Sequence, residues 1–214
     1  MYKFLLVIAL AVVHVSAHGR LWRPISRSSV WRDPAFASHN PPQNWDDIQL
    51  WCGAAHQPDN PGTNCGPCGD PVGQARPRDN EIGGRWDRGI ITGRYTAGGI
   101  IPIEVQLTAA HLGFFEFRIC NQPGNHNGET QACFNQHLLQ RTDGGGSRVN
   151  VDGPRTYSQQ FRLPANLRCT RCVLQWNYRA GNNWGTGGAC GAGVSGLGCG
   201  PQETFRGCAD IAIS

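Results

Sequence analysis

The segment IPIEVQLTAAHLGFFEFRIC, residues 101–120, contains two β-strand patterns joined by a short turn. In residues 101–109 apolar side chains alternate with polar ones, as expected of a strand with one buried face. The apolar positions are Ile101, Ile103, Val105 and Leu107. Residues 113–120 are rich in aromatic and β-branched side chains, which favour strands. The segment therefore predicts two strong strands with His111 in the turn between them.

Similar strand patterns occur later in the chain. We predict strands at residues 156–164, 172–179 and 207–214. The sequence has 29 Gly and 14 Pro and few segments of helical period, so we predict an all-β fold. The expected architecture is an immunoglobulin- or fibronectin-like antiparallel β-sandwich with long disulfide-linked loops and at most short helices. One short helix is expected at residues 44–52, NWDDIQLWC, where apolar residues recur at spacings of three and four.

The N-terminus has the three parts of a secretory signal peptide. MYK supplies a positive charge, FLLVIALAVV an apolar core, and VSA the small residues before a cleavage site. Cleavage after Ala17 ends a signal peptide of residues 1–17 and makes His18 the first residue of a single domain, residues 18–214. No second long apolar segment follows, so we expect a secreted, monomeric protein without a transmembrane segment.

The charge distribution argues against nucleic acid as a partner. The formal net charge is +4 at pH 7, and it falls to +3 when Lys3, the only lysine, is removed with the signal. The sequence contains no run of five or six like charges of the kind found in nucleic-acid-binding tails.

Ten cysteines follow the signal, and an even number in an exported chain predicts five disulfides. CGPC at 65–68 and CTRC at 169–172 have metal-like spacing, but they lie too far apart for a zinc ribbon. CGPC also lies in a Gly- and Pro-rich loop, not between a strand and a helix as a thioredoxin-type motif requires. Two long loop regions, residues 22–90 and 180–203, are expected to carry function.

The histidine at the predicted cleavage site suggests a metal centre. A free His18 offers its α-amine and its imidazole, and one further histidine completes a three-nitrogen site that favours Cu(II). His111 is the best second candidate, because a turn between two strands holds a side chain rigidly. Taken alone, however, His111 is more commonly a structural histidine. The histidines expected to be ordinary surface side chains are His39, His56, His126 and His137.

Three motifs in this order resemble the lytic polysaccharide monooxygenases. They are His18, the segment TAAHLGFFEFRIC and the closing ETFRGCADIAI, and the cysteine-rich single domain looks most like auxiliary activity family fifteen. The resemblance implies a histidine brace, in which the amine and Nδ1 of His18 and Nε2 of His111 hold one copper in a T shape. It implies that Phe205 blocks an axial position, because phenylalanine cannot ligate copper, where other members have tyrosine. It also implies a hydrogen-bonding role for Glu203 and a small residue, Ala109, crowding the opposite axial face.

The resemblance also implies the reaction and the partners. An external small-molecule or protein electron donor reduces Cu(II) to Cu(I), and hydrogen peroxide or dioxygen then supplies the oxidant, as in a monooxygenase or peroxygenase. The substrate is expected to be crystalline chitin, with cellulose a close second, and hydroxylation at C1 is favoured over C4. A flat polymer requires a flat face with exposed rings. The residues expected on that face are Asn44, Trp45, Asp46, Asn182, Asn183 and Trp184.

Other interpretations of the same residues remain open. For each tryptophan, burial in the core is at least equally common. Glu203 is compatible with a solvated loop carboxylate, and Phe205 with plain core packing. The first alternative function is a secreted chitin- or cellulose-binding protein without turnover. A further alternative is an extracellular structural or copper-carrier protein.

Overall fold

A computed structural model describes residues 17–52, 65–121 and 124–214 of the protein. Residues 1–16 of the predicted signal peptide, and His56, lie outside these ranges. Within them, no helix combines the length and the apolar character that crossing a bilayer requires.

Two β-sheets form the body of the domain. The smaller sheet has the strand order β1-β4-β8-β6, and all its pairs are antiparallel. Its strands are β1 (His18–Arg23), β4 (Ile100–Ala109), β6 (Gln140–Arg141) and β8 (Thr156–Arg162). The pairing of β4 with β8 runs from Ile100 opposite Arg162 to Gln106 opposite Thr156.

The larger sheet has the strand order β2-β12-β9-β5-β7, and β3 pairs with β12 in parallel. Its strands are β2 (Trp51–Cys52), β3 (Gly93–Tyr95), β5 (Phe114–Cys120), β7 (Val149–Asn150), β9 (Cys169–Arg179) and β12 (Thr204–Ile213). A separate two-stranded sheet, β10 (Trp184–Thr186) with β11 (Ser195–Leu197), lies in the second long loop.

The hydrophobic core lies between the two large sheets. The smaller sheet contributes the alternating residues predicted from the sequence, and the larger sheet contributes five aromatic rings together with aliphatic side chains. The contributing residues of the smaller sheet include Leu21, Ile101, Ile103, Val105, Leu107 and Phe161, and those of the larger sheet include Phe115, Phe117, Trp176, Tyr178, Phe205 and Ile211. Phe115 makes edge-to-face contacts with Trp176 and Tyr178, so the rings interlock as well as exclude water.

The all-β antiparallel sandwich predicted from the sequence is confirmed. The five predicted strands correspond to β4, β5, β8, β9 and β12. The first strand of the domain, β1, was not predicted, because its residues HGRLWR lack a clear alternation. The helices of the described residues are short: α1 (Gln131–Phe134) and the 3₁₀ turns Val30–Arg32, Pro34–His39 and Gly188–Cys190.

The helix predicted at residues 44–52 is wrong. Residues 45–48 form a turn and Trp51–Cys52 form strand β2. The Asn44 side chain accepts a hydrogen bond from the Asp46 backbone N–H, an Asx-type turn that competes with helix formation. The buried Asp47 carboxylate also accepts bonds from Arg20 and Arg32, so tertiary ion pairs hold the turn.

Five disulfides are present, as the cysteine count predicted. They join Cys52 to Cys65, Cys68 to Cys208, Cys120 to Cys133, Cys169 to Cys172 and Cys190 to Cys199. Cys65 and Cys68 therefore bond to different partners, and CGPC is not a dithiol pair. The Cys68–Cys208 bond attaches the first long loop to the outer face of β12, while Cys190–Cys199 closes the second long loop on itself.

Candidate metal centre

The N-terminal strand places His18 beside the end of β4. His18 pairs with Ala109, and the Thr108 hydroxyl donates to the His18 carbonyl. Gly19 allows this close approach, because a Cβ atom there would lie 2.2 Å from the Leu107 side chain. The Gly19 N–H also donates to the Ile48 carbonyl at 2.9 Å. The strand that carries His18 is thus fixed both to β4 and to the turn at residues 45–48.

His111 lies two residues beyond Ala109, in a tight turn before β5. The turn requires left-handed backbone at two consecutive residues, Leu112 with φ +54° and Gly113 with φ +80°. Glycine is needed at the second position, because a Cβ there would lie 2.0 Å from the Arg179 carbonyl oxygen. Leucine in this conformation costs roughly 1–2 kcal/mol, so its surroundings must hold it there.

Hydrogen bonds hold both backbone groups of His111. Its N–H donates to the Tyr178 hydroxyl at 2.8 Å, and its carbonyl accepts from the Gly181 N–H at 2.7 Å. The Tyr178 hydroxyl in turn donates to the Leu112 carbonyl at 2.8 Å. Burial raises the pKa of the Tyr178 hydroxyl above its usual value. The turn is therefore attached to β9 and to the start of the second long loop.

The His111 imidazole is oriented by Glu203. The Glu203 carboxylate accepts a hydrogen bond from Nδ1 of His111 at 2.9 Å, and both side chains are largely buried. An ionised carboxylate only accepts, so this bond assigns the proton to Nδ1 and leaves the lone pair on Nε2. Nε2 is therefore the atom that this imidazole can offer to a metal, and the donor chemistry fits copper.

Phe205 lies two residues after Glu203 on β12 and is fully buried. Its ring stacks on Tyr178 with centroids 5.6 Å apart. It pairs with Tyr178 on one side and with Trp51 on the other. Phe205 therefore packs in the core against Tyr178, the residue whose hydroxyl is bonded to the His111 backbone.

Two exposed tryptophans lie in loops that are hydrogen-bonded to the segments of His18 and His111. Trp45 is 69% exposed and lies in the turn bonded to Gly19. Its ring packs edge-on against Trp31 with centroids 4.6 Å apart, and the Arg32 guanidinium lies over the Trp31 ring. Trp184 is 75% exposed and starts the small sheet of the second long loop. These two rings are available for contact with a partner.

The polar residues predicted for the same face divide into two groups. Asp46 and Asn182 are exposed. Asn44 is buried, so its assignment to the surface is wrong: its carbonyl accepts from the Trp31 indole N–H, and its side chain caps the turn. Asn183 is half-buried, and its backbone is bonded to the Gln202 side chain in both directions.

Several residues near the histidines were missed by sequence reasoning. Trp51 is 48% exposed at the edge strand β2, and Leu112 is exposed beside His111. Tyr178 is buried and acts through its hydroxyl. The sequence offers only a weak signal for Trp51, namely that it directly precedes Cys52. The role of Tyr178 has no sequence signal, because it depends on the register between β5 and β9, which places Tyr178 opposite Phe115.

One other cluster in the described ranges has metal-ligand residue types: Cys68, Glu129 and Cys208. Its two cysteines are bonded to each other, so they present no thiolate to a metal. Glu129 instead pairs with Arg27 at 2.7 Å. This cluster is therefore not a second candidate for a metal site.

Comparison with known proteins agrees with the fold. Residues 18–211 match the family model for lytic polysaccharide mono-oxygenases, described as cellulose-degrading. Among solved structures, the chain is similar to a lytic polysaccharide monooxygenase of auxiliary activity family fifteen from Thermobia domestica in the Cu(I) state. The two share 43% identity over 92% of this chain and 98% of that one, with a TM-score of 0.78.

A second solved structure shares the fold alone. It is a chitin-binding domain from Burkholderia pseudomallei with 15% identity, covering 93% of this chain and 100% of that one at a TM-score of 0.50. No sequence among curated proteins matches the chain significantly. The family match and the extent of the similarity to the Thermobia structure lead to one conclusion. The chain belongs to the lytic polysaccharide monooxygenases, copper-dependent enzymes that oxidise polysaccharides, and within them to auxiliary activity family fifteen.

Proposed function

We propose that this enzyme holds its copper in a histidine brace formed by the amine and Nδ1 of His18 and Nε2 of His111. The hydrogen bond between Glu203 and Nδ1 of His111 carries this proposal, because it leaves Nε2 as the available donor. The pairing of His18 with Ala109, two residues from His111, supports it further. In the uncut chain the His18 nitrogen belongs to a peptide bond with the buried Ala17. Only cleavage of that bond turns it into an amine that can bind a metal.

We also propose that the enzyme is secreted after removal of residues 1–17. The family match begins at His18, which supports a mature chain starting there. Copper, when bound, supplies one-electron redox chemistry that, with an external reductant and hydrogen peroxide or dioxygen, allows oxidation of a C–H bond. The chain itself binds the ion, orients His111 through Glu203, and places the apolar residues Phe205 and Ala109 beside the site. Phe205 has no donor atom and therefore adds no ligand.

The substrate we propose is a crystalline polysaccharide, chitin or cellulose, oxidised at C1. Sugar rings of both polymers have apolar C–H faces that stack on aromatic side chains. Trp45 and Trp184 provide such rings on the two loops attached to the histidine-bearing segments. The polar neighbours Asp46 and Asn182 are exposed and can bind hydroxyl groups. Chitin remains the first substrate to test, and cellulose, named in the family description, is the second.

The test begins with the intact mass of the protein secreted from the full chain, with and without one equivalent of Cu(II). We expect a mass that starts at His18 and one tightly bound copper. Mass spectrometry of soluble products from chitin and from cellulose, with ascorbate as reductant, should then show C1-oxidised oligosaccharides from at least one polymer. Copper binding and polymer binding without oxidised products would instead fit a binding protein.

A variant with one additional residue before His18 provides the matched control. The addition moves the amine away from the imidazole and leaves every side chain unchanged. We expect loss of tight copper binding and of oxidised products, with unchanged thermal unfolding of the copper-free protein. Full turnover by this variant would contradict the brace.

A further inference from the structure

Tyr178 is attached to the turn that carries His111 by two hydrogen bonds from a single oxygen. The hydroxyl accepts from the His111 N–H and donates to the Leu112 carbonyl, each at 2.8 Å. Its ring is fully buried and packs against Phe115 and Phe205. Packing in the core fixes the ring, and the two hydrogen bonds of the hydroxyl attach the turn to it.

The turn needs such an attachment because of its backbone. Leu112 has a left-handed conformation that leucine rarely adopts, and its side chain is exposed, so packing of that side chain does not hold it. The bond from Tyr178 to the Leu112 carbonyl stabilises this conformation. The bond from the His111 N–H sets the direction of the backbone from which the imidazole projects.

We propose that Tyr178 is a positioning residue that holds His111 in the orientation in which its Nε2 binds copper. The proposal rests on the ligand role proposed above for His111. Glu203 fixes the rotation and tautomer of the imidazole, whereas Tyr178 fixes the backbone beneath it. The two act on different degrees of freedom of one side chain, so neither replaces the other.

Tyr178→Phe removes the oxygen and keeps the ring, and Tyr157→Phe is the matched control. Tyr157 is also buried against Phe115, and its hydroxyl also binds a loop, accepting from the N–H groups of Asp152 and Gly153. Val151, next to that loop, donates to the Gly113 carbonyl, but the Tyr157 hydroxyl bonds to Asp152 and Gly153 and to neither His111 nor Leu112. Three quantities are measured in the mature protein: hydrogen exchange of the His111 amide without copper, Cu(II) affinity by calorimetry, and the Cu(II) electron paramagnetic resonance spectrum.

We expect Tyr178→Phe to speed exchange of the His111 amide, to weaken Cu(II) binding by about 10- to 100-fold, and to change the spectrum. Tyr157→Phe should leave all three at their wild-type values even if it lowers thermal stability. Unchanged copper affinity and spectrum in Tyr178→Phe would overturn the proposal, and so would equal changes in both variants.

The two proposals fail in distinguishable ways. If wild-type protein starting at His18 binds no copper tightly, the brace itself is wrong and the positioning role falls with it. If the wild type binds copper tightly and Tyr178→Phe does so equally, only the positioning role is wrong. Should Tyr178→Phe not fold, the wild type still provides a test. Fast exchange of its His111 amide would show that the hydroxyl does not hold the turn.

Discussion

At the scale of single residues, the site depends on hydrogen bonds that select one atom of an imidazole. Histidine offers two ring nitrogens, and a partner at one decides which remains for a metal. Glu203 makes that choice for His111 through a bond of 2.9 Å to Nδ1. The pair is largely shielded from water, which strengthens the bond relative to the surface.

Glu203 therefore allows a prediction that separates orientation from charge. In Glu203→Gln the amide oxygen can still accept from Nδ1–H, whereas Glu203→Ala removes the acceptor. We expect the alanine variant to bind Cu(II) about 10- to 100-fold more weakly and the glutamine variant to stay close to wild type. Calorimetric titration measures both, and His111→Ala, which should lose tight binding altogether with the fold intact, sets the lower limit. A Cu(II) affinity equal to that of the wild type in all three variants would show that neither Glu203 nor His111 belongs to the site.

At the scale of elements, the loops act through their attachments to the strands. The turn at residues 45–48 bonds to Gly19, and the second long loop bonds to His111 through Gly181. Each loop presents one largely exposed tryptophan, Trp45 or Trp184. The two rings therefore lie on loops that are hydrogen-bonded to strand β1, which carries His18, and to the turn that carries His111.

Truncating these rings should weaken polymer binding and leave copper binding unchanged. If stacking of a tryptophan on a sugar ring contributes as much as an aromatic pair, about 0.5–1.5 kcal/mol, Trp45→Ala and Trp184→Ala should each lower binding to chitin or cellulose several-fold. Trp86→Ala is not a suitable comparison, since Trp86 is buried. Arg162→Ala, an exposed change on β8, serves as the control. Binding isotherms on insoluble polymer that coincide for wild type and both tryptophan variants would exclude these rings from the substrate face.

The loop over the outer face of β12 carries a buried carboxylate, Asp70. Burial raises its pKa to about 6, although its oxygens accept bonds from the Asn80 backbone and side chain. A raised acid pKa means that the folded state holds the proton more tightly than the unfolded state. This contribution to stability is present below pH 4 and is lost as the pH rises from about 4 to about 6.

Asp70→Asn should therefore stabilise the protein at neutral pH and have little effect in acid. The asparagine oxygen can still accept both bonds from Asn80, and no charge is buried. A rise in pKa from 3.8 to about 6 corresponds to roughly 3 kcal/mol, the upper limit of the expected gain at pH 7.5. Chemical unfolding of both proteins at pH 4 and pH 7.5 measures it. The same difference at both pH values would show that the carboxylate charge is not the cause.

At the scale of the whole molecule, both the core of the sandwich and the five disulfides stabilise the fold. The main core lies between the sheets, and the bonds attach long loops whose own buried apolar clusters are smaller. Cys68 and Cys208 are 140 residues apart, so their bond restricts most of the unfolded chain. Cys190 and Cys199 are 9 residues apart, and their bond closes one loop.

Removing these two disulfides should have unequal effects. Chain-entropy estimates give about 5 kcal/mol for the long connection and roughly 2.5 kcal/mol for the short one. We expect the Cys68→Ala, Cys208→Ala double variant to show the larger fall in the midpoint of thermal unfolding. The Cys190→Ala, Cys199→Ala double variant should mainly disturb the loop of Trp184 and so polymer binding. A larger loss of stability from the short connection would show that local packing, not chain entropy, dominates.

The sequence by itself determined the sandwich and the residues worth examining. Alternating apolar residues in 101–109 define a one-sided strand whatever its partners, and that strand is β4. Ten cysteines in a chain with a predicted export signal indicated five disulfides, but not their pairing, since pairing depends on which loops meet. His18 and His111 were selected by their positions and by a family resemblance.

Only the tertiary structure decided how those residues meet. The helix expected at 44–52 became a turn because Asp47 pairs with arginines from elsewhere in the chain, a contact invisible to local periodicity. The burial of Asn44 also depends on contacts that local periodicity does not show. Its carbonyl accepts a hydrogen bond from the Trp31 indole, and its side chain accepts one from the Asp46 N–H. The bonds of Tyr178 and Glu203 to the segment of His111 join residues 67 and 92 positions apart, respectively. Strand register, a property of the folded sheet, brings them together.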